Sequence, residues 1–166
     1  MKENTSIKDK TLHPEKSAKT ARAKKREEEV AASDECAESL DERICTALQA
    51  ASDKKAVDPV VLDLRSIASF TDYFVITSGT NQRQVQAIAD EVVEQLKKQG
   101  TRAERVEGYS TAEWVLVDYG YFIVHVFEDK ARHFYDLERL WREAARVELP
   151  EHLRGDAASG SLRKEQ

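Results

Sequence analysis

The sequence has only two cysteines and lacks any long hydrophobic run. Cys36 and Cys45 are nine residues apart and neither belongs to a Cys-x-x-Cys pair. The pattern therefore predicts no zinc site and no disulfide, but two free thiols in a reducing cytosol. No stretch approaches the ~20 apolar residues of a membrane span, and the N-terminus lacks the apolar core of a secretory signal. We therefore expect a cytoplasmic protein that makes no membrane contact.

Motifs of catalysis and cofactor binding are also missing. The junction Ser78-Gly79-Thr80-Asn81 follows a predicted strand, but it has neither the lysine of a P-loop nor the three glycines of a dinucleotide site. Asp63 is followed two residues later by Arg65 and not by the second carboxylate that two-metal chemistry needs. No nucleophile motif accompanies His125. We therefore expect no cofactor and no enzyme; a nucleotide-dependent transferase using Ser78-Gly79 and Asp63 is the alternative.

Charge is abundant, because 34% of the residues are charged, but it is unevenly placed. Residues 1–26 hold nine Lys or Arg and three acids, a net charge of +6, which leaves −11 for residues 27–166 out of a total of −5. An acidic domain is repelled by phosphate backbones, so we expect little direct contact with nucleic acid. A basic protein is the more natural partner.

The composition divides the chain into three parts. Residues 1–32 have almost no large apolar side chains, which predicts a disordered charged tail. Residues 33–149 hold the apolar periodicity that a folded domain needs, and a chain of that length can fold alone. Residues 150–166 return to Gly, Ser and charge, which predicts a flexible C-terminal tail.

Within the domain the pattern predicts a helix, two strands, a helix, a strand, a hairpin and a last helix. The first helix is expected to begin near Ser33, and the second to begin at Thr80 or Asn81 and end before Gly100. A crossover helix between two strands implies one parallel pairing, whereas the hairpin is antiparallel. The fold class is therefore α/β (α+β), with a mixed sheet and helices packed on it.

The hairpin at 113–127 is the most apolar and aromatic stretch of the chain. Side chains alternate along a strand, so Trp114, Leu116 and Asp118 share one face. Both faces are largely apolar and need covering by helices or by a partner protein. We interpret Tyr109 and Trp114 as an exposed binding edge. The last helix is expected to bury its apolar positions, which are Phe134, Leu137, Leu140, Trp141 and Ala144.

A set of short motifs extends from about Leu40 to Ala144. They are Asp72–Ile76, Gly79, Arg83–Val85, Ala87–Ala89, Glu107-Gly108, Trp114–Gly120, His125–Phe127, Arg132, Phe134-Tyr135 and Leu137–Trp141. In combination they resemble the ribosomal silencing factor family, which is also called the Iojap family. Tyr121 is a departure, because the family usually has Asp at that place in its Tyr-Gly-Asp turn.

The resemblance implies a nucleotidyltransferase-like fold without catalytic metal carboxylates. It implies a function as well: binding of the large ribosomal subunit through ribosomal protein fourteen, which blocks joining of the small subunit and represses translation under nutrient limitation. Many members of the family also form homodimers. For this chain we expect an apolar centre with an acidic edge. The predicted partner-binding residues are Tyr109, Trp114, Leu116, Asp118, Tyr119, Glu107 and Glu113.

Overall fold

A computed structural model describes residues 23–25 and 36–155 of the chain. The helices are α1 (Glu42–Asp53), α2 (Gln82–Lys98), α3 (Asp129–Tyr135) and α4 (Leu137–Leu140), followed by a 3-10 helix at Glu151–Leu153. The strands are β1 (Val57–Asp63), β2 (Tyr73–Gly79), β3 (Arg105–Glu107), β4 (Trp114–Asp118), β5 (Phe122–Glu128) and β6 (Ala145–Arg146).

The six strands form one mixed sheet in the order β3-β4-β5-β2-β1-β6. Strands β2 and β5 pair in parallel, joined by the crossover that contains α2, and β4 and β5 form the antiparallel hairpin. The predicted mixed sheet with one parallel pairing is thereby confirmed. The sequence did not predict β6, because it has only two residues and one of them is an arginine.

The two long helices cover the first face of the sheet. Asn81 caps helix α2, since its side chain accepts a hydrogen bond from the backbone N–H of Gln84. Gly100 follows the end of the helix with a φ of 84°. The apolar stripe of α2 recurs at spacings of three and four residues, as a helix requires. It is fully buried against the strands and consists of Val85, Ile88, Ala89, Val92 and Leu96. Strand residues on this face are also sealed from solvent; they are Val61, Val75, Val115, Val117, Phe122, Val124 and Val126.

The second face is covered by shorter segments. The side chains of Leu62, Phe74, Ile76 and Phe127 are buried there, and Leu137, Ala144 and Trp141 from the segment after β5 pack on them. The guanidinium of Arg132 ties this segment to the sheet, since it donates to Ser78 Oγ at 2.7 Å and to the carbonyl of Asp58 at 2.7 Å. The segment after β5 is therefore anchored to the sheet at Arg132, but it covers the second face with only short helices.

The single last helix predicted from the sequence is wrong. Asp136 has a φ of 47°, a left-handed conformation that Asp tolerates better than most residues, and it separates α3 from α4. The break rotates part of the apolar stripe outward. Phe134 is consequently 81% exposed and Leu140 73% exposed, whereas Leu137 and Ala144 are buried as predicted.

The predicted pair of free thiols is also wrong, because Cys36 and Cys45 form a disulfide with a Cα–Cα distance of 5.9 Å. The chain turns between them at residues 38–41, and Asp41 caps α1. The predicted helix start at Ser33 lies outside the described residues. That turn brings together two cysteines that one continuous helix would have kept apart.

The predicted domain boundaries change at the C-terminal end. Leu149 and Leu153 are buried in the first-face core, so the folded part extends beyond 149 to at least Gly155. Of the predicted N-terminal tail, only residues 23–25 are described, and they are helical and exposed. The rest of residues 1–32 and residues 156–166 lie outside the described part of the chain.

Candidate protein-docking surface

Trp114 is the centre of an aromatic cluster on the second face. Its indole stacks on Phe127 with a centroid distance of 4.9 Å and contacts Tyr135 at 4.9 Å. The indole Nε1–H donates a hydrogen bond of 3.1 Å to Nδ1 of His125 on the neighbouring strand. Trp114 is therefore partly buried, with its polar atom turned toward the protein and part of its ring at the surface.

Exposed apolar side chains continue from Trp114 along the segment after β5. Tyr135 is 47% exposed and contacts Phe134 edge-to-face at 5.1 Å. Both line a shallow groove of about 760 Å³, together with the apolar residues Ile67, Leu140 and Trp141. The other residues that line the groove are polar or charged: His133, Asp136, Arg139, Arg142 and Glu143. We call Leu116, Trp114, Tyr135, Phe134 and Leu140 together the docking surface. A monomeric protein rarely exposes such a group without a partner for it.

Sequence reasoning missed Phe134, Tyr135 and Leu140 as members of this surface. Phe134 and Leu140 belong to a set of apolar positions, completed by Leu137, Trp141 and Ala144, that recur at spacings of three and four residues. Such spacing is typical of a buried helical stripe, which is why the sequence placed Phe134 and Leu140 in the core. The one signal against a continuous helix was Asp136, a residue that tolerates a left-handed conformation. A single residue of that kind is too weak a signal to divide a helix.

The predicted acidic edge carries less free charge than the sequence indicated. Arg105 lies between two of its members, at 3.3 Å from the carboxylate of Glu107 and 3.4 Å from that of Asp118. Asp118 also accepts the backbone N–H of Gly120 at 2.8 Å, which fixes the hairpin turn. Glu113 is exposed beside Trp114. Exposed ion pairs of this kind are weak, so a basic partner can displace Arg105 at little cost.

Two predicted site residues belong to the first face and not to the docking surface. Tyr119 is 7% exposed and stacks on Phe122 at 4.8 Å, and burial raises the pKa of its hydroxyl to about 12. The hydroxyl of Tyr109 donates to Asp90 of α2 at 2.9 Å. The prediction that Tyr119 lies at the surface is wrong, because its side chain packs under the helices. The structure holds Tyr109 against α2 and does not bring it to Trp114.

Tyr121, the departure from the family pattern, has a contact of its own. Its hydroxyl donates to Asp41 at 2.7 Å, and the guanidinium of Arg43 lies 4.4 Å from its ring centroid. Partial burial acts to raise the pKa of Asp41, but hydrogen bonds from Tyr121 and Arg43 outweigh it and hold that pKa below its ordinary value. The hairpin tip is therefore attached to the start of α1.

The residues of the alternative transferase site lie at opposite ends of the sheet. Asp63 pairs with Tyr73 at the start of β2, whereas Ser78 and Gly79 end that strand. Five or six residues of strand separate them by roughly 17–20 Å. Asp63 is held by Arg65 at 2.8 Å, and Ser78 is buried and accepts from Arg132. The alternative site is therefore wrong, because its parts do not meet.

The start of α2 is also occupied by its own side chains. Gln84 Oε1 accepts from the backbone N–H of Thr80 at 2.7 Å, and Asn81 Oδ1 accepts from the N–H of Gln84 at 2.8 Å. These donors are the ones a phosphate would need at a helix N-terminus. Across residues 23–25 and 36–155, no three His, Cys, Asp or Glu side chains cluster as metal ligands would.

The fold and surface define a class: a small α+β domain whose prominent feature is a partly exposed aromatic surface on one face of its sheet. Comparison with known proteins identifies the family. The family model described as "Ribosomal silencing factor during starvation" matches residues 37–166, so the chain belongs to the ribosomal silencing factor family. The predicted resemblance is thereby confirmed.

Individual relatives agree with this membership. A protein from Halalkalibacterium halodurans named "Ribosomal silencing factor RsfS" is 45% identical over 103 residues, which cover 62% of this chain and 88% of that protein. The mouse "Mitochondrial assembly of ribosomal large subunit protein 1" is 33% identical over 91 residues, covering 53% of this chain and 40% of that protein.

Solved structures have the same fold. A crystal structure from Bacillus halodurans is 42% identical with a TM-score of 0.58, and the match covers 64% of this chain and 96% of that one. A crystal structure from Chromobacterium violaceum is 33% identical with a TM-score of 0.60, covering 74% and 94%. The predicted likeness to nucleotidyltransferases stays a prediction. Among the described helices, none is long and apolar enough to cross a membrane.

Proposed function

We propose that this protein binds the large ribosomal subunit through ribosomal protein fourteen and so prevents the small subunit from joining. Translation then falls when nutrients are scarce. Membership of the ribosomal silencing factor family supports the general role. The observation that carries the docking site is the row of contacting aromatic rings from half-buried Trp114 through Tyr135 to Phe134, of which the last two are exposed.

The chemistry of the surface favours a protein partner. Large aromatic side chains with an apolar centre are the residues that contribute most to protein interfaces. Glu113, Glu107 and Asp118 near the hairpin offer carboxylates to a basic ribosomal protein, while the net charge of −11 over residues 27–166 disfavours direct binding to ribosomal RNA. Contact with nucleic acid is therefore a minor part of the proposal. The homodimer expected from the resemblance stays a prediction.

Trp114→Ala and Phe134→Asp test this site. Truncating an aromatic anchor typically costs 2 kcal/mol or more, so Trp114→Ala should weaken large-subunit binding about thirtyfold. Phe134→Asp places a charge at the same surface, and at 81% exposure it should leave the fold intact. Both variants should lose co-sedimentation with large subunits and should permit subunit joining.

Val106→Asp is the matched control. Val106 is 43% exposed and pairs with Val117, so it lies on the first-face side of the edge strand β3. The Val106→Asp variant should bind large subunits as tightly as the unaltered protein does. If Trp114→Ala lowers the thermal midpoint strongly, Phe134→Asp becomes the deciding variant. A folded Phe134→Asp variant that still binds and blocks joining would contradict the proposed site.

A further inference from the structure

His125 is a polar residue at a position where burying an apolar side chain would cost less free energy. It is 3% exposed and lies on the second face of β5 between Ile123 and Phe127, both of which are buried and apolar. Its ring contacts Phe74 edge-to-face at a centroid distance of 4.5 Å. Burying an imidazole removes its hydration, and only hydrogen bonds can offset that loss.

The hydrogen bonds of His125 offset only part of that loss. Nδ1 accepts from the indole of Trp114, which leaves the ring proton on Nε2 in the neutral form. Nε2 is buried, and no hydrogen-bond partner for it exists among the described residues. An unpaired buried donor is destabilising, so stability alone would favour leucine at position 125.

We propose that His125 is the positioning residue of the docking surface: its Nδ1 holds the indole Nε1–H of Trp114 inward, so that Trp114 meets a partner through its hydrocarbon edge. Nε1–H is the only polar atom of the indole, and with it turned inward Trp114 presents no donor to solvent. Phe127 and Tyr135 restrict the ring by packing, and the hydrogen bond to His125 selects one orientation. The inference rests on the proposed docking role of Trp114.

A fixed indole has two consequences for binding. The partner must offer an apolar surface at this point, because a hydrogen-bond acceptor aimed at Trp114 would find no donor. The anchor also enters the complex already ordered. Ordering one side chain on binding costs about 0.5–1.5 kcal/mol, and the middle of that range corresponds to a three- to tenfold loss of affinity if the orientation is released.

The test is a pair of substitutions that separates the hydrogen bond from the packing. His125→Leu keeps the buried volume but removes the acceptor, whereas His125→Asn retains an acceptor, Oδ1, close to the place of Nδ1. The first readout is hydrogen exchange of the Trp114 indole N–H by NMR in the free protein. The chain has two tryptophans, and Trp141→Phe assigns their two indole signals.

We expect fast exchange of the Trp114 indole in His125→Leu, together with three- to tenfold weaker binding to large subunits and a thermal midpoint that does not fall. His125→Asn should stay close to the unaltered protein in both exchange and affinity. A folded His125→Leu variant with unchanged exchange and unchanged affinity would overturn the inference. Faster exchange without any loss of affinity would overturn the positioning role while leaving the proposed function intact.

The unaltered protein gives a second measurement that needs no variant. Long-range ¹⁵N–¹H correlations of His125 should show an unprotonated Nδ1 and a protonated Nε2. If His125→Leu fails to fold, this spectrum and the indole exchange rate of the unaltered protein test the inference in its place. A proton on Nδ1, or an indole N–H that exchanges as fast as one in an unfolded peptide, overturns the inference. Retained ribosome binding in Phe134→Asp would instead count against the proposed function.

Discussion

The two faces of the sheet are built from similar strand residues but are covered in different ways. On the first face, two helices of 12 and 17 residues bury the large side chains of the central strands, such as Val61, Val75 and Phe122. On the second face, helices of seven and four residues cover the buried strand residues but leave their own aromatic side chains in solvent. The first face stabilises the fold, and the second has apolar surface left for a partner.

The largest difference should appear when an aromatic side chain is removed from each face. Phe122→Ala opens a cavity in the first-face core, where the ring is fully buried, and should cost about 3–5 kcal/mol of the free energy of unfolding. Phe134→Ala, at the exposed end of the docking surface, should change it by about 0.5 kcal/mol or less. Urea denaturation of the two variants measures both. Equal losses of the free energy of unfolding would mean that Phe134 is packed in a core as Phe122 is.

A second pair of substitutions concerns the backbone behind the docking surface. Gly108 and Gly100 both have positive φ values, 78° and 84°. A Cβ at Gly108 would collide with the carbonyl oxygen of Trp114, whereas a Cβ at Gly100 would meet nothing within 4 Å. Gly100→Ala should therefore cost only its backbone strain, about 1 kcal/mol. Gly108→Ala should cost about 1–2 kcal/mol more, because β4 must shift.

Thermal melts of the two glycine variants, read beside large-subunit binding, give a further contrast. Gly108→Ala should also weaken binding, since the displaced backbone belongs to Trp114. Gly100 follows α2 on the first-face side, so its alanine variant should bind normally. Equal stability losses in the two variants would show that the turn before β4 is looser than the structure has it.

A further expected effect is a dependence of stability on pH that arises from the second face. Burial lowers the pKa of His125 from 6.5 to about 3. The unfolded chain therefore takes up a proton below about pH 6.5 while the folded protein resists it down to about pH 3. The stability that belongs to the neutral ring is complete above pH 6.5 and is lost as the pH falls between these values.

His125→Leu should flatten that decline, and the exposed His133→Gln serves as the control that keeps it. Denaturant midpoints between pH 7 and pH 4 measure the difference. If His125→Leu loses stability with acid as steeply as the unaltered protein, the imidazole is not buried as described.

The sequence predicted which strand residues share a face better than it predicted the helices that cover each face. The alternation of Trp114, Leu116 and Asp118 placed them correctly on one face, because the period of a strand is strict. The stripe of α2 was also correct, since it has a clear cap and 17 uninterrupted residues. The two errors at the helices, the turn at residues 38–41 and the break at Asp136, both came from interruptions inside an apolar period.

The docking site was predictable only in part for the same reason. Local spacing placed Trp114 and Leu116 on one face of the sheet, but it could not show that Tyr119 turns inward or that Phe134 turns outward. Those orientations depend on where α3 ends and on how the hairpin tip packs against α1. The hydrogen bond between Trp114 and His125 joins residues 11 positions apart on two strands, so it needed the register of the sheet.

The most direct test of the docking role is photo-crosslinking to purified large subunits. A photoreactive benzoylphenylalanine would replace Phe134 on the second face or, as the control, Glu94 on the outer side of α2, where its side chain is 61% exposed. We predict that mass spectrometry will find ribosomal protein fourteen crosslinked from position 134 and not from position 94. Crosslinks to that protein from position 94 alone would contradict the account, because they would place the ribosome on the first-face side of the molecule.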